Sequence, residues 1–181
     1  MDQPTETSQP EAYRPLFEFG ELAGQSGPLA DWFVINDGVM GGRSASSIEA
    51  TSAGTALFAG TVSLENNGGF ASVRTRPGPW DLGGYTGIAL RVRGDGQTYM
   101  LQLRTDDYFD GASYRSAFTF PVDGWQTVRL AFAAMRPTFR DRILPNVPPL
   151  DPSQIRTFGF MISDKQAGPF RLEVAWIRAF R

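Results

Sequence analysis

The chain has 181 residues, of which 41% are hydrophobic and 13% aromatic, and its formal net charge at pH 7 is −2. That length is enough for one domain with its own core, since single domains usually have about 100–200 residues. The absence of cysteine and histidine excludes disulfides, thiol nucleophiles, Ser-His-Asp triads and metal sites built on thiolate or imidazole.

The first fifteen residues are polar, include prolines, and lack the apolar stretch that a signal peptide requires. We expect residues 1–15 to form a disordered leader and residues 16–181 to form one domain. No run approaches the roughly 18–20 apolar residues of a membrane-spanning helix. The sequence therefore predicts no membrane span and a cytoplasmic protein.

The first of two glycine-rich blocks covers residues 36–44. Asp37 and Arg43 are candidate binding residues in it, because an arginine can hold a carboxylate or phosphate through two parallel hydrogen bonds. The alternative is a structured turn, in which Asn36 and Asp37 tie backbone amides and the glycines adopt left-handed conformations.

The second glycine-rich block covers residues 64–74 and contains an Asn-Gly pair at residues 67–68, a strong signal for a β-hairpin. Glu65, Asn66 and Arg74 are further candidate binding residues, at the ends of the predicted strands. Amides and carboxylates suit sugar hydroxyl groups, each of which donates and accepts a hydrogen bond. The alternative is a tight hairpin whose flanking polar groups face water.

Beyond the second block, apolar and polar residues alternate with the period of β-strands. The apolar positions fall in six runs: 88–92, 99–103, 118–122, 128–132, 158–162 and 170–176. Short helical turns are predicted at residues 31–33 and 152–155, and the proline-rich segment 135–152 is predicted to be an irregular loop. The pattern predicts an all-β fold, an antiparallel sandwich of two sheets. We assign most aromatic residues, including the tryptophans, to the core, with Trp80 the most exposed of them.

Two further candidates, Arg104 and Tyr114, flank an acidic segment. The segment superficially resembles a calcium-binding loop, but Tyr108 replaces an oxygen ligand and Ala117 stands where the loop needs a glutamate. We predict no metal and no cofactor, with calcium in a different loop geometry as the alternative. An acidic surface hairpin, balanced by arginines and offering tyrosines to a protein or ligand, explains the segment equally well.

Arg136, Arg140 and Arg142 form a small basic set in the proline-rich segment. They are either solvated or form a face for an acidic partner or RNA. Nucleic acid is not the expected partner, because the chain is acidic overall and no exposed aromatics are interleaved with these arginines.

Residues 32–44 and 58–74, in this order, resemble the signature of the complex I intermediate-associated protein 30 family. Weaker similarities continue through residues 125–126, 159–165 and 168–172, so the resemblance covers residues 16–181. It implies a galactose-binding-like, jelly-roll β-sandwich. It also implies a chaperone role in respiratory complex I assembly, as in mitochondrial members, whereas plant relatives are tied to messenger RNA translation. The resemblance implies no catalytic residues.

The sequence thus predicts a non-enzymatic binding or assembly-factor domain, whose loops and one sheet face engage a protein partner such as respiratory complex subunits or assembly intermediates. Its predicted site comprises Asp37, Arg43, Glu65, Asn66, Arg74, Arg104 and Tyr114. The alternative is a carbohydrate-binding module, which needs an exposed aromatic platform such as Trp80 or Tyr108. A carboxylate-based hydrolase needs two acids about 5–10 Å apart, and Glu65 with Asp37 or Asp106 is the pairing to test.

Overall fold

The computed structural model describes residues 12–22, 29–122 and 124–181, where thirteen β-strands form two antiparallel sheets. The six-stranded sheet contains β1 (Arg14–Glu18), β3 (Ala45–Ala50), β4 (Ala56–Val62), β6 (Gly87–Gly94), β9 (Gln126–Ala131) and β13 (Gly168–Phe180). The seven-stranded sheet contains β2 (Trp32–Asn36), β5 (Ala71–Thr75), β7 (Tyr99–Arg104), β8 (Ser113–Phe118), β10 (Arg136–Phe139), β11 (Arg142–Ile143) and β12 (Thr157–Ile162). The prediction of an all-β fold with two antiparallel sheets is confirmed.

Strands that are distant in sequence lie side by side in both sheets. The six-stranded sheet has the order β3-β4-β13-β6-β9, and β1 pairs with the second half of β13. The order in the seven-stranded sheet is β11-β10-β8-β7-β12-β5-β2. Short 3₁₀ turns occur at Phe19–Leu22, Asp37–Met40, Glu65–Asn67, Phe132–Ala134 and Pro152–Gln154. None of the described residues belongs to a helix long and apolar enough to cross a membrane.

The core lies between the two sheets and is filled by alternate residues of their strands. Its large side chains with under 2% exposure include Phe58, Ile88, Leu90, Tyr99, Leu101, Leu103, Phe158, Phe160, Ile162 and Leu172. Full burial of an aliphatic or aromatic side chain contributes about 1.5–3 kcal/mol. The alternation therefore identified the core-facing positions of β6, β7 and β12 correctly.

The Asn-Gly pair at residues 67–68 does not form the predicted hairpin. Strands β4 and β5 on either side of it belong to different sheets, so the chain crosses the sandwich here. Asn66 and Asn67 have φ values of 55° and 58°, which places the asparagines rather than Gly68 in the left-handed region. The prediction was wrong because the turn signal is local and does not specify which sheet receives the next strand.

Two other predictions made from local sequence differ from the structure, and in both cases strand pairing determines the observed conformation. Residues 31–33 form no helical turn, because β2 begins at Trp32 and pairs with β5. The segment 135–152 is not wholly irregular, since β10 and β11 form a hairpin at the edge of the seven-stranded sheet. The turn after Asp151 is confirmed, and the Asp151 carboxylate caps it by accepting a hydrogen bond from Ser153 N at 3.0 Å.

A β-bulge in β13, between Val174 and Trp176, reverses which residues face the core. Beyond it, Ile177 and Ala179 are the fully buried residues. Trp176 instead lies half-buried on the outer face of the six-stranded sheet, with the guanidinium of Arg178 over its ring at 4.1 Å. The assignment of Trp176 to the core was therefore wrong.

Other aromatic positions also differ from the predictions. Trp125 is half-buried beneath Arg93, which lies on the outer face of the six-stranded sheet. Trp80, expected to be exposed, is half-buried and packs edge-to-face against Phe158, with ring centroids 5.4 Å apart. The strand predicted over residues 118–122 is not formed as such, because β8 ends at Phe118.

The N-terminal segment is partly described. Residues 1–11 of the predicted leader lie outside the described residues. Arg14 and Pro15, also assigned to the leader, lie in β1. At the end of this strand, Glu18 Oε1 accepts a hydrogen bond from Arg178 Nε at 2.6 Å, which ties β1 to β13.

Candidate functional site

The two glycine-rich blocks meet at one corner of the sandwich, around the side chain of Asp37. This residue begins the 3₁₀ turn after β2 and is 0% exposed. Its carboxylate accepts hydrogen bonds from Ser44 N at 2.9 Å and Ser44 Oγ at 2.5 Å, in the first block. It also accepts from Gly69 N at 2.8 Å and Phe70 N at 3.3 Å, in the second block. One buried carboxylate thus joins the two blocks, and we call this arrangement the Asp37 clamp.

Glycines leave the space that the Asp37 side chain occupies. A Cβ atom at Gly42 would lie 2.4 Å from Cγ of Asp37, and one at Gly68 would lie 2.6 Å from its Oδ2. Gly41 has a φ of 86° at the end of the turn, a conformation that other residues rarely adopt. Packing around Asp37 therefore explains much of the glycine pattern in both blocks.

The environment of Asp37 keeps its carboxylate ionised. Burial raises the pKa of this group, but the hydrogen bonds from Ser44, Gly69 and Phe70 outweigh burial and hold the pKa below its ordinary value. The carboxylate is enclosed and already accepts four hydrogen bonds. It is therefore unsuited to act as a hydrolytic acid or base together with Glu65.

Glu173 in β13 is a second buried carboxylate, with 2% exposure. It accepts hydrogen bonds from Arg93 Nε and Thr55 Oγ1, both at 2.7 Å. Burial raises the pKa of Glu173, but these hydrogen bonds and the charges of Arg93 and Arg171 outweigh it and lower the pKa below its usual value.

We expect acid to destabilise the fold through Asp37 and Glu173. The pKa values of these two carboxyl groups are lower in the folded chain than in the unfolded chain, where they are about 4. The two groups therefore stabilise the fold at pH values above their unfolded pKa values, and this stabilisation is lost as the pH falls through their folded pKa values. The chain has no histidine, so the urea midpoint should stay nearly constant from pH 7 to about 5.5 and fall below about pH 4.5. An Asp37→Asn variant should show a shallower fall, and a fall equal to that of the wild type would contradict the role assigned to Asp37.

Arg43, Glu65 and Asn66 lie on the surface of the same corner. Arg43 Nε is 3.4 Å from Glu65 Oε2, and the two side chains are 70% and 66% exposed. Asn66 is also exposed. Exposed ion pairs contribute at most about 1 kcal/mol, so these residues are accessible to a partner and matter little for stability.

A second group of candidates lies on the outer face of the seven-stranded sheet, which is turned away from the core. Cross-strand pairing places five residues in one row across β5, β12, β7, β8 and β10: Arg74, Gly159, Gln102, Arg115 and Arg136. Arg104 lies two residues beyond Gln102 on the same face of β7. We call Arg74, Arg104 and Arg115 the arginine cluster.

The loop between β7 and β8, residues 105–112, folds back over this row. Arg74 Nη1 donates to the carbonyl oxygen of Phe109 at 2.8 Å, and the Arg74 guanidinium lies 5.3 Å from the Phe109 ring centroid. Arg104 Nη1 donates to the carbonyl oxygen of Gly111 at 2.5 Å. Arg104 is consequently only 7% exposed, although it does not face the core. Gln102 on the same face is 6% exposed, and its Nε2 donates to Met161 Sδ at 3.0 Å.

No carboxylate neutralises the arginine cluster directly. Within the described parts of the chain, none of its three guanidinium groups has a carboxylate oxygen within 4 Å. Burial, together with the charge of Arg104, lowers the pKa of Arg74 to about 10, and Asp110 offsets this in part. Burial also lowers the pKa of Arg104 and of Arg115. All three remain charged at neutral pH.

The acidic residues of the loop are engaged outside the arginine cluster. Asp107 pairs with Arg156 at 2.7 Å, and Asp110 Oδ2 lies 3.6 Å from Arg140 Nη2. Asp106 Oδ1 accepts a hydrogen bond from Tyr108 N. Among residues 12–22, 29–122 and 124–181, no group of three or more acidic side chains is arranged for a metal ion.

Tyr114 is separated from the other candidates. It pairs with Leu103 in the ladder, faces the core and is 7% exposed, and its Oη donates to the carbonyl oxygen of Pro148 at 2.8 Å. Sequence reasoning did not select Gln102 or Arg115 for the site. The alternation on β7 places Gln102 beside Arg104, but only the pairing of β7 with β8 brings Arg115 to them.

The sequence model of one protein family, described as complex I intermediate-associated protein 30 (CIA30), matches residues 17–174. This range includes the Asp37 clamp and the arginine cluster. The chain belongs to the CIA30 family. A relative named complex I intermediate-associated protein 30, mitochondrial, from Drosophila melanogaster is 27% identical over 171 residues, and one of the same name from Mus musculus is 30% identical over 172 residues. The matches cover 82% and 84% of this chain but 58% and 52% of those proteins. The chain thus spans about half the length of these CIA30 relatives.

Solved structures share the fold of this CIA30-family chain. The family 11 carbohydrate-binding module of Clostridium thermocellum cellulase Lic26A-Cel5E has a TM-score of 0.67 at 16% identity, over 94% of this chain and 95% of that module. The agarase AgWH50C has a TM-score of 0.62 at 12% identity, over 92% of this chain and 24% of the agarase. At these identities the likeness shows the fold alone, and it confirms the jelly-roll sandwich that the family resemblance implied.

Proposed function

We propose that this CIA30-family domain is a non-enzymatic, protein-binding module that assists the assembly of respiratory complex I. The family match over residues 17–174 carries the proposal, because the fly and mouse relatives are named complex I intermediate-associated proteins. The enclosed carboxylate of Asp37 and the paired carboxylates of the 105–112 loop support a role in binding rather than catalysis.

The outer face of the seven-stranded sheet is the surface we propose for the partner. It combines the arginine cluster with large exposed side chains nearby: Tyr108 is 75% exposed and Phe109 is 59% exposed. Arginine and large aromatic residues contribute most of the binding energy in many protein interfaces. Arg43, Glu65 and Asn66 would add contacts from the corner where β5 begins, while Asp37 supports that corner from inside.

Affinity capture from the source cell tests this function. The wild type should recover subunits of NADH:ubiquinone oxidoreductase, and Arg74→Glu should recover at least about tenfold less, since truncating a central interface arginine often has this effect. Arg91→Glu is the matched control, because Arg91 lies on the other sheet, where it donates to Thr127. Absence of these subunits from the wild-type capture, or equal recovery by Arg74→Glu, would contradict the proposal.

The cytoplasmic location predicted from the sequence stays a prediction. The fly and mouse relatives carry the word mitochondrial in their names. Fractionation of the tagged protein in its own host is the measurement that decides the compartment.

A carbohydrate-binding module is the second candidate. The exposed ring of Tyr108 lies in the loop that contacts Arg74 and Arg104, and an aromatic ring near guanidinium donors suits a sugar. A related structure is the family 11 module of Clostridium thermocellum in complex with a β-1,3-1,4-mixed-linked tetrasaccharide. Titration of the wild type and Tyr108→Ala with soluble oligosaccharides tests this candidate, and absence of binding to any sugar removes it. Trp80 is no longer a platform candidate, because its ring packs against the core.

A further inference from the structure

We propose that Arg74, Arg104 and Arg115 form an oxyanion-binding site, and that its ligand is a carboxylate-rich, extended segment of a protein partner. The assignment of the anion to a protein partner rests on the protein-binding function proposed above. The assignment of the site to these three arginines rests on the geometry of the outer face of the seven-stranded sheet.

The first observation is that most donors of these arginines have no acceptor among the residues that the structure describes. A guanidinium group carries five N–H donors. Arg74 and Arg104 each donate to one carbonyl oxygen of the 105–112 loop, and Arg115 Nε donates to Ser113 Oγ at 3.0 Å. These acceptors are all neutral, so the positive charge of the cluster is not compensated by them.

The second observation is the buried, unpartnered Nε of Arg104. This side chain is 7% exposed, and its Nε has no hydrogen-bond partner in the described structure. Buried donors are normally satisfied, and a buried cation without a counter-ion is unfavourable. A carboxylate or phosphate oxygen at this position would accept the hydrogen bond and supply the missing charge.

The third observation concerns the nearby carboxylates, which do not act as counter-ions. Asp106 and Asp110 raise the pKa of Arg104 from a distance, and Asp141 and Asp164 act in the same direction on the pKa of Arg115, with no carboxylate oxygen of the described residues within 4 Å of either guanidinium. However, Asp110 has Arg140 as its ion-pair partner, and the Asp106 carboxylate accepts from the backbone of its own loop. The cluster is therefore available to an anion from outside the chain.

The extent of the polar row points to a peptide rather than a small free anion. The arginines of the row, Arg74, Arg115 and Arg136, lie in register from β5 to β10, with the buried Gly159 and Gln102 between Arg74 and Arg115. With neighbouring strands about 4.8 Å apart, four strand spacings give about 19 Å, the length of about six residues of extended chain. A phosphate ion would occupy one point on this row, whereas an extended acidic segment would contact several arginines together.

The test compares a capped hexaglutamate peptide with inorganic phosphate, and uses a hexaglutamine peptide as the uncharged control. Binding is followed by ¹⁵N NMR of the arginine Nε–H groups. We expect hexaglutamate to shift the Nε–H signals of Arg74, Arg104 and Arg115, to leave that of Arg91 unchanged, and to bind at least about tenfold more tightly than phosphate at low salt, since charge attraction is screened by salt. Hexaglutamine should not bind.

Variants at half-buried positions complete the test, because replacing the buried Arg104 is expected to disturb folding. Arg115→Gln should weaken hexaglutamate binding at least about tenfold, as the loss of one charge-assisted contact predicts, and Arg91→Gln should leave it unchanged. Phosphate binding as tight as hexaglutamate would overturn the peptide assignment in favour of a small free anion, and no shift with either probe would overturn the site. Capture of complex I subunits without hexaglutamate binding would leave the proposed function standing and refute only this inference.

Discussion

Replacing Asp37 with alanine is expected to lower the free energy of unfolding by about 3–5 kcal/mol, the range seen when one member of a buried charged network is removed. The change leaves Ser44 N, Gly69 N and Phe70 N without the acceptor that they share. It also opens a void between the two glycine-rich blocks, which are also linked by Asn36 Oδ1, the acceptor for Ser72 N at 3.3 Å, and by the exposed Arg43–Glu65 pair.

Urea denaturation of the wild type and Asp37→Ala at pH 7 measures this difference. Glu65→Ala is the matched control, because it removes a carboxylate from the same corner that is 66% exposed and pairs with the exposed Arg43. We expect Glu65→Ala to cost less than about 1 kcal/mol. Equal losses for the two variants would show that the corner does not depend on the buried carboxylate.

Replacing Gly42 with alanine is expected to cost about 2–3 kcal/mol, at the upper end of ordinary overpacking effects. The new Cβ would lie 2.4 Å from Cγ and 2.5 Å from Oδ1 of Asp37, and four hydrogen bonds prevent that side chain from moving aside. Gly38→Ala is the control in the same block, since a Cβ there meets nothing within 4 Å, and it should change stability by less than about 1 kcal/mol.

A double-mutant cycle separates this collision from other effects of the new methyl group. When Asp37 is already alanine, Cγ and Oδ1, the two closest atoms that Gly42→Ala strikes, are absent, and only the Cβ of residue 37 remains, at 2.8 Å. The cost of Gly42→Ala should then fall by at least about 1 kcal/mol, and this difference is the coupling energy between the two positions. Additive costs in the cycle would contradict the packing explanation for this glycine.

These predictions assign different roles to the residues first grouped as one site. The glycine-rich blocks that carry the family resemblance are held together by Asp37, which is structural because it is enclosed and fully hydrogen-bonded. The arginine cluster lies on a different surface and retains unused donors. We therefore expect variants of the Asp37 clamp to lower the free energy of unfolding. Variants of the arginine cluster such as Arg115→Gln should weaken anion binding with little effect on that free energy.

The sequence predicted the parts of the fold that depend on local pattern. Alternation at Leu101 and Leu103, and at Phe158 and Phe160, identified core-facing positions, because a strand turns successive side chains to opposite faces. The proline turn after Asp151 was also predictable from neighbouring residues. Local pattern failed at Asn67 and in the later part of β13, where the allocation of strands to sheets and a bulge determine the outcome.

By itself, the sequence determined an all-β chain with defined core faces, membership in the CIA30 family, and a set of polar residues from which a site had to be chosen. Only the tertiary structure decided how that set divides. It buried Asp37 between segments 32 residues apart, turned Tyr114 into the core, and placed Arg74, Arg104 and Arg115 on one face. The physical reason is that pairing between β-strands joins residues that are distant along the chain, and the period of a single strand carries no information about its neighbours.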